Sequence, residues 1–175
     1  AMLKNILVTK QTGDNGKQVN RIYIEEGCEI ESEYYLSFLI DRKTSKLMMI
    51  TSSFGGVDIE NIAKKNPEKI YNIFFSNLKD FEIENELKNI LNFTQDQFDQ
   101  FKIIVKKLGR AFVELDASII EINPLVLNKS GKLILLDTKI ILDDNALFRH
   151  PELLKLQDQS EENAMELEAA KNDMN

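Results

Sequence analysis

Cysteine and histidine are almost absent from this sequence: each occurs once in 175 residues. Cys28 therefore cannot form an internal disulfide, and a His/Cys zinc site within the chain is excluded. A reducing compartment is compatible with that usage. Long apolar runs are also missing. No stretch approaches the ~18 residues of a transmembrane helix, so no membrane role is expected. The first residues, Ala1-Met2-Leu3-Lys4-Asn5, lack the charged-then-apolar plan of a signal peptide. Basic residues are in the minority, 22 against 29 acidic, for a formal charge of -7. That balance argues against nucleic acid as a partner.

What is present suits a folded domain. Hydrophobic residues make up 43% and charged residues 29%. The length allows one domain of ordinary size, or one domain and a tail. The acidic excess is concentrated at the C-terminus. There Glu161, Glu162, Glu166, Glu168 and Asp173 stand against Lys171 alone. This stretch reads either as a solvated tail or linker, or as an exposed helix on the same domain.

Short β-rich runs dominate the first half. Asn5 to Lys10 and Val19 to Glu25 flank the turn cluster Gly13-Asp14-Asn15-Gly16, which predicts a hairpin. Tyr34 to Asp41, Leu47 to Ser53 and Ile70 to Ser76 are further predicted strands. Asp58 to Ala63 reads as a short helix ended by Pro67, and Glu82 to Leu91 as another. Thr94-Gln95-Asp96-Gln97 fits a capping box. The helix after it repeats Phe98, Phe101, Ile104, Val105, Leu108, Phe112 and Leu115 at three- and four-residue steps, a core stripe. Ile119 to Leu127 and Lys132 to Leu142 predict a second hairpin, and Pro151 to Leu156 a last short helix. The fold class is α+β, a mostly antiparallel sheet with packed helices.

The second hairpin holds the chemistry. Alternation puts Ile120, Ile122, Pro124 and Val126 with Ile134, Leu136, Thr138 and Ile140 on one face, directed at the core helix. Glu121, Asn123, Leu125 and Leu127 share the other with Leu133, Leu135, Asp137 and Lys139. Glu121, Asn123, Asp137 and Lys139 converge if Asn123 lies opposite Asp137. That register needs a three-residue loop or a bulge at Gly131. Two carboxylates and a carboxamide oxygen suit a hard cation such as Mg²⁺, with Lys139 facing a phosphate. The alternative is a salt-bridged strand end in which Lys139 pairs with Glu121 or Asp137.

Elsewhere, Gly55-Gly56 is either an anion-binding backbone or an ordinary turn. The glutamates Glu25, Glu26, Glu29, Glu31 and Glu33 form a solvated acidic loop, or one of them accepts from a ribose. Cys28 has no Lys, Arg or His near it in sequence, which argues against a nucleophile. His150 is expected to be exposed, and no Ser/His/Asp order exists.

Glu121-Ile122-Asn123-Pro124-Leu125, Leu136-Asp137-Thr138-Lys139 and Asp143-Asp144-Asn145-Ala146-Leu147-Phe148-Arg149 closely resemble the β subunit of succinyl-CoA synthetase (succinate–CoA ligase). Gln11-Thr12-Gly13, Gln18 to Glu25, Glu33 to Leu36, Asp41-Arg42 and Gly55 to Glu60 agree in order. The resemblance implies an ATP-grasp fold, and within it the larger subdomain over residues 1–157, with 158–175 as a linker toward a CoA-ligase domain. It implies an acid–thiol ligase reaction of the citric acid cycle: succinate, CoA and ATP or GTP giving succinyl-CoA, nucleoside diphosphate and phosphate. The phosphoryl group would pass through a phosphohistidine on an α subunit, so His150 is not the phosphorylated residue. This region alone would be inactive. Asn123 and Asp137 match the family's Mg²⁺ ligands. Glu25, Cys28 and Glu33 match positions that contact the nucleotide, with Glu33 accepting from ribose hydroxyls. Cys28 stands where Thr is common, so a backbone or packing contact is implied there. Glu121 matches a carboxylate that orients the α-subunit histidine. Phe54 departs from a frequent Glu and Thr138 from Gly or Ala. The implied location is cytoplasmic, or the mitochondrial matrix for a eukaryotic source. Two rivals remain at this stage: a sister ligase acting on malate or citrate, and a non-catalytic subunit-interaction module.

Overall fold

The computed structural model describes residues 2–9, 12–79 and 81–156. The acidic stretch at 158–175 therefore lies outside the described residues. Strands β1 (Ile6–Leu7) and β2 (Lys17–Gln18) form a small antiparallel hairpin of their own. The expected strand over Val19 to Glu25 does not form. Residues 19–29 run irregular, with Tyr23 and Ile24 about 85% exposed. Val19 still bonds the first hairpin, donating to Asn5 O at 2.9 Å and accepting from Lys4 N–H at 2.8 Å, but beyond it no strand is paired with the segment among the described residues.

The main sheet begins with β3 (Ile30–Asp41) and β4 (Lys46–Ser52), joined by the expected polar turn. Helix α1 (Ile59–Lys65) starts on Asp58, whose Oδ1 accepts from the Glu60 and Asn61 N–H groups. A 3-10 turn at Pro67–Lys69 leads into β5 (Tyr71–Phe75). Helix α2 (Glu86–Ile90) is shorter than predicted, because residues 82–84 are irregular. Helix α3 (Gln95–Glu114) carries the predicted capping box: Gln97 N–H donates to Thr94 Oγ1, and Thr94 N–H donates to Gln97 Oε1. Then come β6 (Ala117–Asn128), β7 (Leu133–Leu135) and β8 (Thr138–Leu142). A 3-10 segment, Asp144–Arg149, and α4 (Pro151–Leu154) follow.

The sheet is antiparallel throughout, in the order β5-β4-β3-β6-β7, with β8 also paired to β6. Helix α3 lies along one face. Its Phe98, Phe101 and Val105 are fully buried against Leu36, Phe38, Ile120 and Ile122 of the sheet, and Ile104, Leu108 and Phe112 pack with them, so the stripe is core as expected except for Leu115, the half-buried C-cap. Each such aromatic contributes roughly 2–3 kcal/mol by leaving water. Gln100 fixes the helix to the hairpin end: its Nε2 donates to Gly131 O, and Leu133 N–H donates to its Oε1, both at 3.0 Å. Among the described residues no helix is long and apolar enough to cross a membrane.

Candidate functional site

The site is built on β6, at the point where its pairing changes. Tyr34 lies opposite Leu125, but Leu36 lies opposite Ile122. Asn123 and Pro124 together therefore face the single residue Tyr35, which is a β-bulge. The Asn123–Pro124 peptide bond is cis. Pro124 has no N–H to give to the ladder, so this is a natural place for pairing to lapse. The extra residue flips the alternation. Leu125 and Leu127 turn into the core with Ile120 and Ile122, instead of sharing the face of Glu121 and Asn123 as strict period-two alternation predicts.

The predicted register nevertheless holds. Glu121 pairs with Lys139 and Leu125 with Leu135, so Asn123 falls opposite Asp137. Asn123 N–H donates to Asp137 O at 3.1 Å, and Leu136 N–H to Pro124 O at 3.2 Å. The loop that permits this is Lys129-Ser130-Gly131, closed by Asn128 N–H donating to Lys132 O and by Gly131 at φ +77°. Thr138 shares the side of Ile122 by register but is exposed. It sits on the sheet edge, beyond the reach of α3, and does not pack in the core as expected.

Asn123 also binds a loop far away in sequence. Its Oδ1 accepts from Gly56 N–H at 2.8 Å, and its Nδ2 donates to Val57 O at 3.1 Å. Gly55 N–H donates to Glu33 O at 3.0 Å. Both glycine N–H groups are thus committed to protein acceptors, and the Gly55-Gly56 loop is a structural turn, not an anion cradle. The Glu33 carboxylate lies over Gly56; a Cβ there would sit 3.0 Å from both its oxygens. Glu33, Gly56, Asn123 and Asp137 are consequently neighbours. Phe54, at the start of the loop, is 43% exposed.

Glu121, two residues before Asn123, is half-buried between Ser37 on β3 and Lys139 on β8. Lys139 makes no ion pair with Glu121 or Asp137 among the described residues, so the salt-bridged strand end is not what the structure holds. Tyr35 lies beside Glu121. Burial pushes its phenol above the usual value, the nearby Ser37 hydroxyl offsets part of this, and the Glu121 carboxylate raises it further.

The remaining predicted residues lie apart. Cys28 is half-buried in an open groove of about 420 Å³ over the β6–β7 turn, lined also by Glu26, Lys129 and Lys132. Two lysines thus line the same groove although none is close to Cys28 in sequence. Glu25 is exposed on the irregular 19–29 segment, outside that groove's lining. His150 is not exposed: its side chain is 14% accessible, and its Nε2 lies 2.8 Å from Asp116 Oδ2. Arg149 reaches the other oxygen of Asp116 at 2.9 Å. Asp143 N–H donates to Asp116 O, which brings the C-terminal segment back to the α3–β6 corner.

A cation here would meet hard oxygen donors. Asn123 Oδ1 accepts one hydrogen bond and retains a second lone pair, and the exposed Asp137 carboxylate has no partner among the described residues. No group of three or more His, Cys, Asp or Glu able to hold a metal occurs among the described residues. One carboxylate and one amide suit an ion that takes most of its ligands from water and phosphate, as Mg²⁺ does.

A family model for the ATP-grasp domain matches residues 1–127. The chain belongs to the ATP-grasp family. This ATP-grasp chain is 46% identical to the β subunit of the ADP-forming succinate–CoA ligase of Acidiphilium cryptum, an alignment covering 100% of the chain and 44% of that subunit. The corresponding Rickettsia bellii subunit is 50% identical, over 94% of the chain and 43% of the relative. The chain thus spans a little under half the length of these relatives. Among solved structures, ATP citrate lyase from Methanothrix soehngenii superposes with a TM-score of 0.52 at 15% identity, covering 84% of the chain and 32% of that protein. That likeness is one of fold.

Sequence reasoning missed the tie from Asn123 to Gly56 and Val57, because no local pattern links residues 66 and 67 positions apart. It also missed Tyr35 and Ser37 beside Glu121. Setting the Tyr34–Asp41 and Ile119–Leu127 runs side by side was the available signal.

Proposed function

We propose that this chain is the nucleotide- and Mg²⁺-binding part of a succinate–CoA ligase β subunit, with residues 1–157 as ATP-grasp subdomain and 158–175 as linker. The observation that carries this reading is the pairing of Asn123 with Asp137 at the β6 bulge, within a chain similar end to end to such subunits. The reaction would be succinate + CoA + nucleoside triphosphate = succinyl-CoA + nucleoside diphosphate + phosphate, a step of the tricarboxylic acid cycle. It would take place in the cytoplasm, or in the matrix of a mitochondrion. The ADP-forming names of the relatives favour ATP over GTP.

The residues take distinct parts. Asn123 and Asp137 would hold Mg²⁺, which when bound would neutralise phosphate charge. Asn123 is oriented for this by Gly56 and Val57, so its carboxamide does not rotate freely. Glu33 would accept from ribose hydroxyls, and Cys28 would line the nucleotide groove by a backbone or packing contact, with Glu25 joining from the adjacent segment. Lys139, without an ion-pair partner in the site, would face a phosphate oxygen. Glu121 would orient the histidine of the α subunit that receives the phosphoryl group. Transfer of this kind depends mainly on positioning and charge neutralisation.

The test is thioester formation by the full-length subunit co-expressed with its α partner. Succinate, malate and citrate are offered in turn with CoA, Mg²⁺ and ATP or GTP. Turnover with succinate and ATP is expected. Turnover confined to malate or citrate from an intact complex would reject the substrate assignment.

A further inference from the structure

Face by face, the sheet is asymmetric. One side is covered by α3. The other carries an apolar stripe of Met48, Ile50, Leu39 and Ile119, and set into it is one polar row. Starting beside Ile50 of the stripe, Ser37 pairs with Glu121 and Glu121 with Lys139, so the three polar side chains stand side by side across β3, β6 and β8. Tyr35 lies two residues before Ser37 and projects from the same face.

Two features of this row need a cause. Ser37 is 2% exposed, and its Oγ is buried without a hydrogen-bond partner of good geometry among the described residues. Burying a hydroxyl unpaired is unfavourable, and an alanine would avoid the cost. Tyr35 is 6% exposed, and its phenol O–H is a hydrogen-bond donor. Glu121 stands directly opposite Ser37 across the strands, and its carboxylate acts on the Tyr35 phenol; a carboxylate has room for several hydrogen bonds.

We propose that the Tyr35 and Ser37 hydroxyls form a two-donor cradle that positions the Glu121 carboxylate for its contact with the incoming imidazole. Both are positioning residues. They touch neither nucleotide nor imidazole and act only through Glu121. Tyr35 holds the carboxylate from one side of β3's polar row. Ser37 supplies a second donor, not bonded to Glu121 in the structure, that is engaged when Glu121 turns toward its target. The inference rests on the reading of Glu121 given above.

The experiment uses the full-length subunit assembled with its α partner. Variants Tyr35→Phe, Ser37→Ala and Glu121→Gln are compared for phosphorylation of the α subunit by Mg·ATP, with kcat and the nucleotide KM separated and Tm measured. Glu121→Gln is expected to lower kcat strongly. Tyr35→Phe is expected to lower kcat by about tenfold, with the KM within about twofold of wild type. Ser37→Ala is expected to lower kcat while Tm stays level or rises, a split that a purely structural serine would not give. Slow Glu121→Gln with wild-type kcat in both other variants overturns the cradle and leaves the role of Glu121 standing. Wild-type kcat in Glu121→Gln overturns both. If Tyr35→Phe fails to assemble, the Ser37→Ala split decides.

Discussion

The Asn123 carboxamide and the Gly56 N–H are bonded at 2.8 Å across 67 residues of sequence. With the return bond from Asn123 to Val57 O, the side chain is held at both ends. The bulge on β6 aims Asn123 at the loop after β4, and that loop in turn fixes Asn123 beside Asp137. Replacing Asn123 by Ala removes both bonds, each worth about 1 kcal/mol net, so a loss of about 1–2 kcal/mol is expected in chemical denaturation. Asn123→Asp keeps the acceptor and loses only the donor to Val57, so it should cost about half as much. Equal losses would contradict the two-ended hold.

Gly56 has φ +66°, and a Cβ would crowd the Glu33 carboxylate. Gly56→Ala should therefore destabilise by about 1–2 kcal/mol from the left-handed backbone alone. Glu33→Ala added to it would relieve the crowding and leave the backbone cost. Full recovery of Tm in the double variant would show that contact, not conformation, sets the requirement.

Gly109 is the opposite case, a helical glycine whose replacement by alanine would ordinarily gain about 1 kcal/mol. Here a Cβ would overlap the ring of Phe81, which is 1% exposed. Overpacking of about 1–3 kcal/mol outweighs the propensity gain, so Gly109→Ala should lower Tm. Gly109→Ala with Phe81→Leu should recover part of the loss.

Asp41 closes the β3–β4 turn, accepting from Thr44 Oγ1 at 2.7 Å and Thr44 N–H at 3.0 Å. The Thr44 hydroxyl is the main reason its carboxyl lies below the ordinary value of 3.8. A depressed carboxylate stabilises the fold above its unfolded pKa, and that contribution fades as pH falls through the folded value. Asp41→Asn should therefore cost most at neutral pH and nothing once the pH is well below 3.8. Urea titrations of both proteins at neutral and acid pH check this; a constant difference would contradict it.

Much of this was legible in the residues. Helix α3 announced itself through Thr94, Gln97 and a stripe from Phe98 to Phe112, and the register of Asn123 against Asp137, conditional on a three-residue loop or a bulge at Gly131, is the one observed. What was not legible needed distant partners. Val19 to Glu25 has the composition of a strand, but only Val19 at its start bonds the first hairpin, and no strand pairs with the rest among the described residues. Leu125 and Leu127 changed faces because Pro124 sits in a bulge, which alternation cannot foresee. His150 found Asp116, 34 residues away, only because the chain returns to the α3–β6 corner. The roles of Glu25, Cys28, Glu33 and Glu121 came from resemblance, since an exposed or half-buried carboxylate or thiol carries no functional signature of its own.

Asp137, opposite Asn123, is the carboxylate on which the proposed Mg²⁺ site depends. The direct measurement is succinyl-CoA formation by the full-length subunit with its α partner, wild type against Asp137→Ala, with size-exclusion chromatography of each complex. The account predicts that turnover is lost while the complex elutes unchanged. Wild-type turnover, or a complex that falls apart, would contradict it.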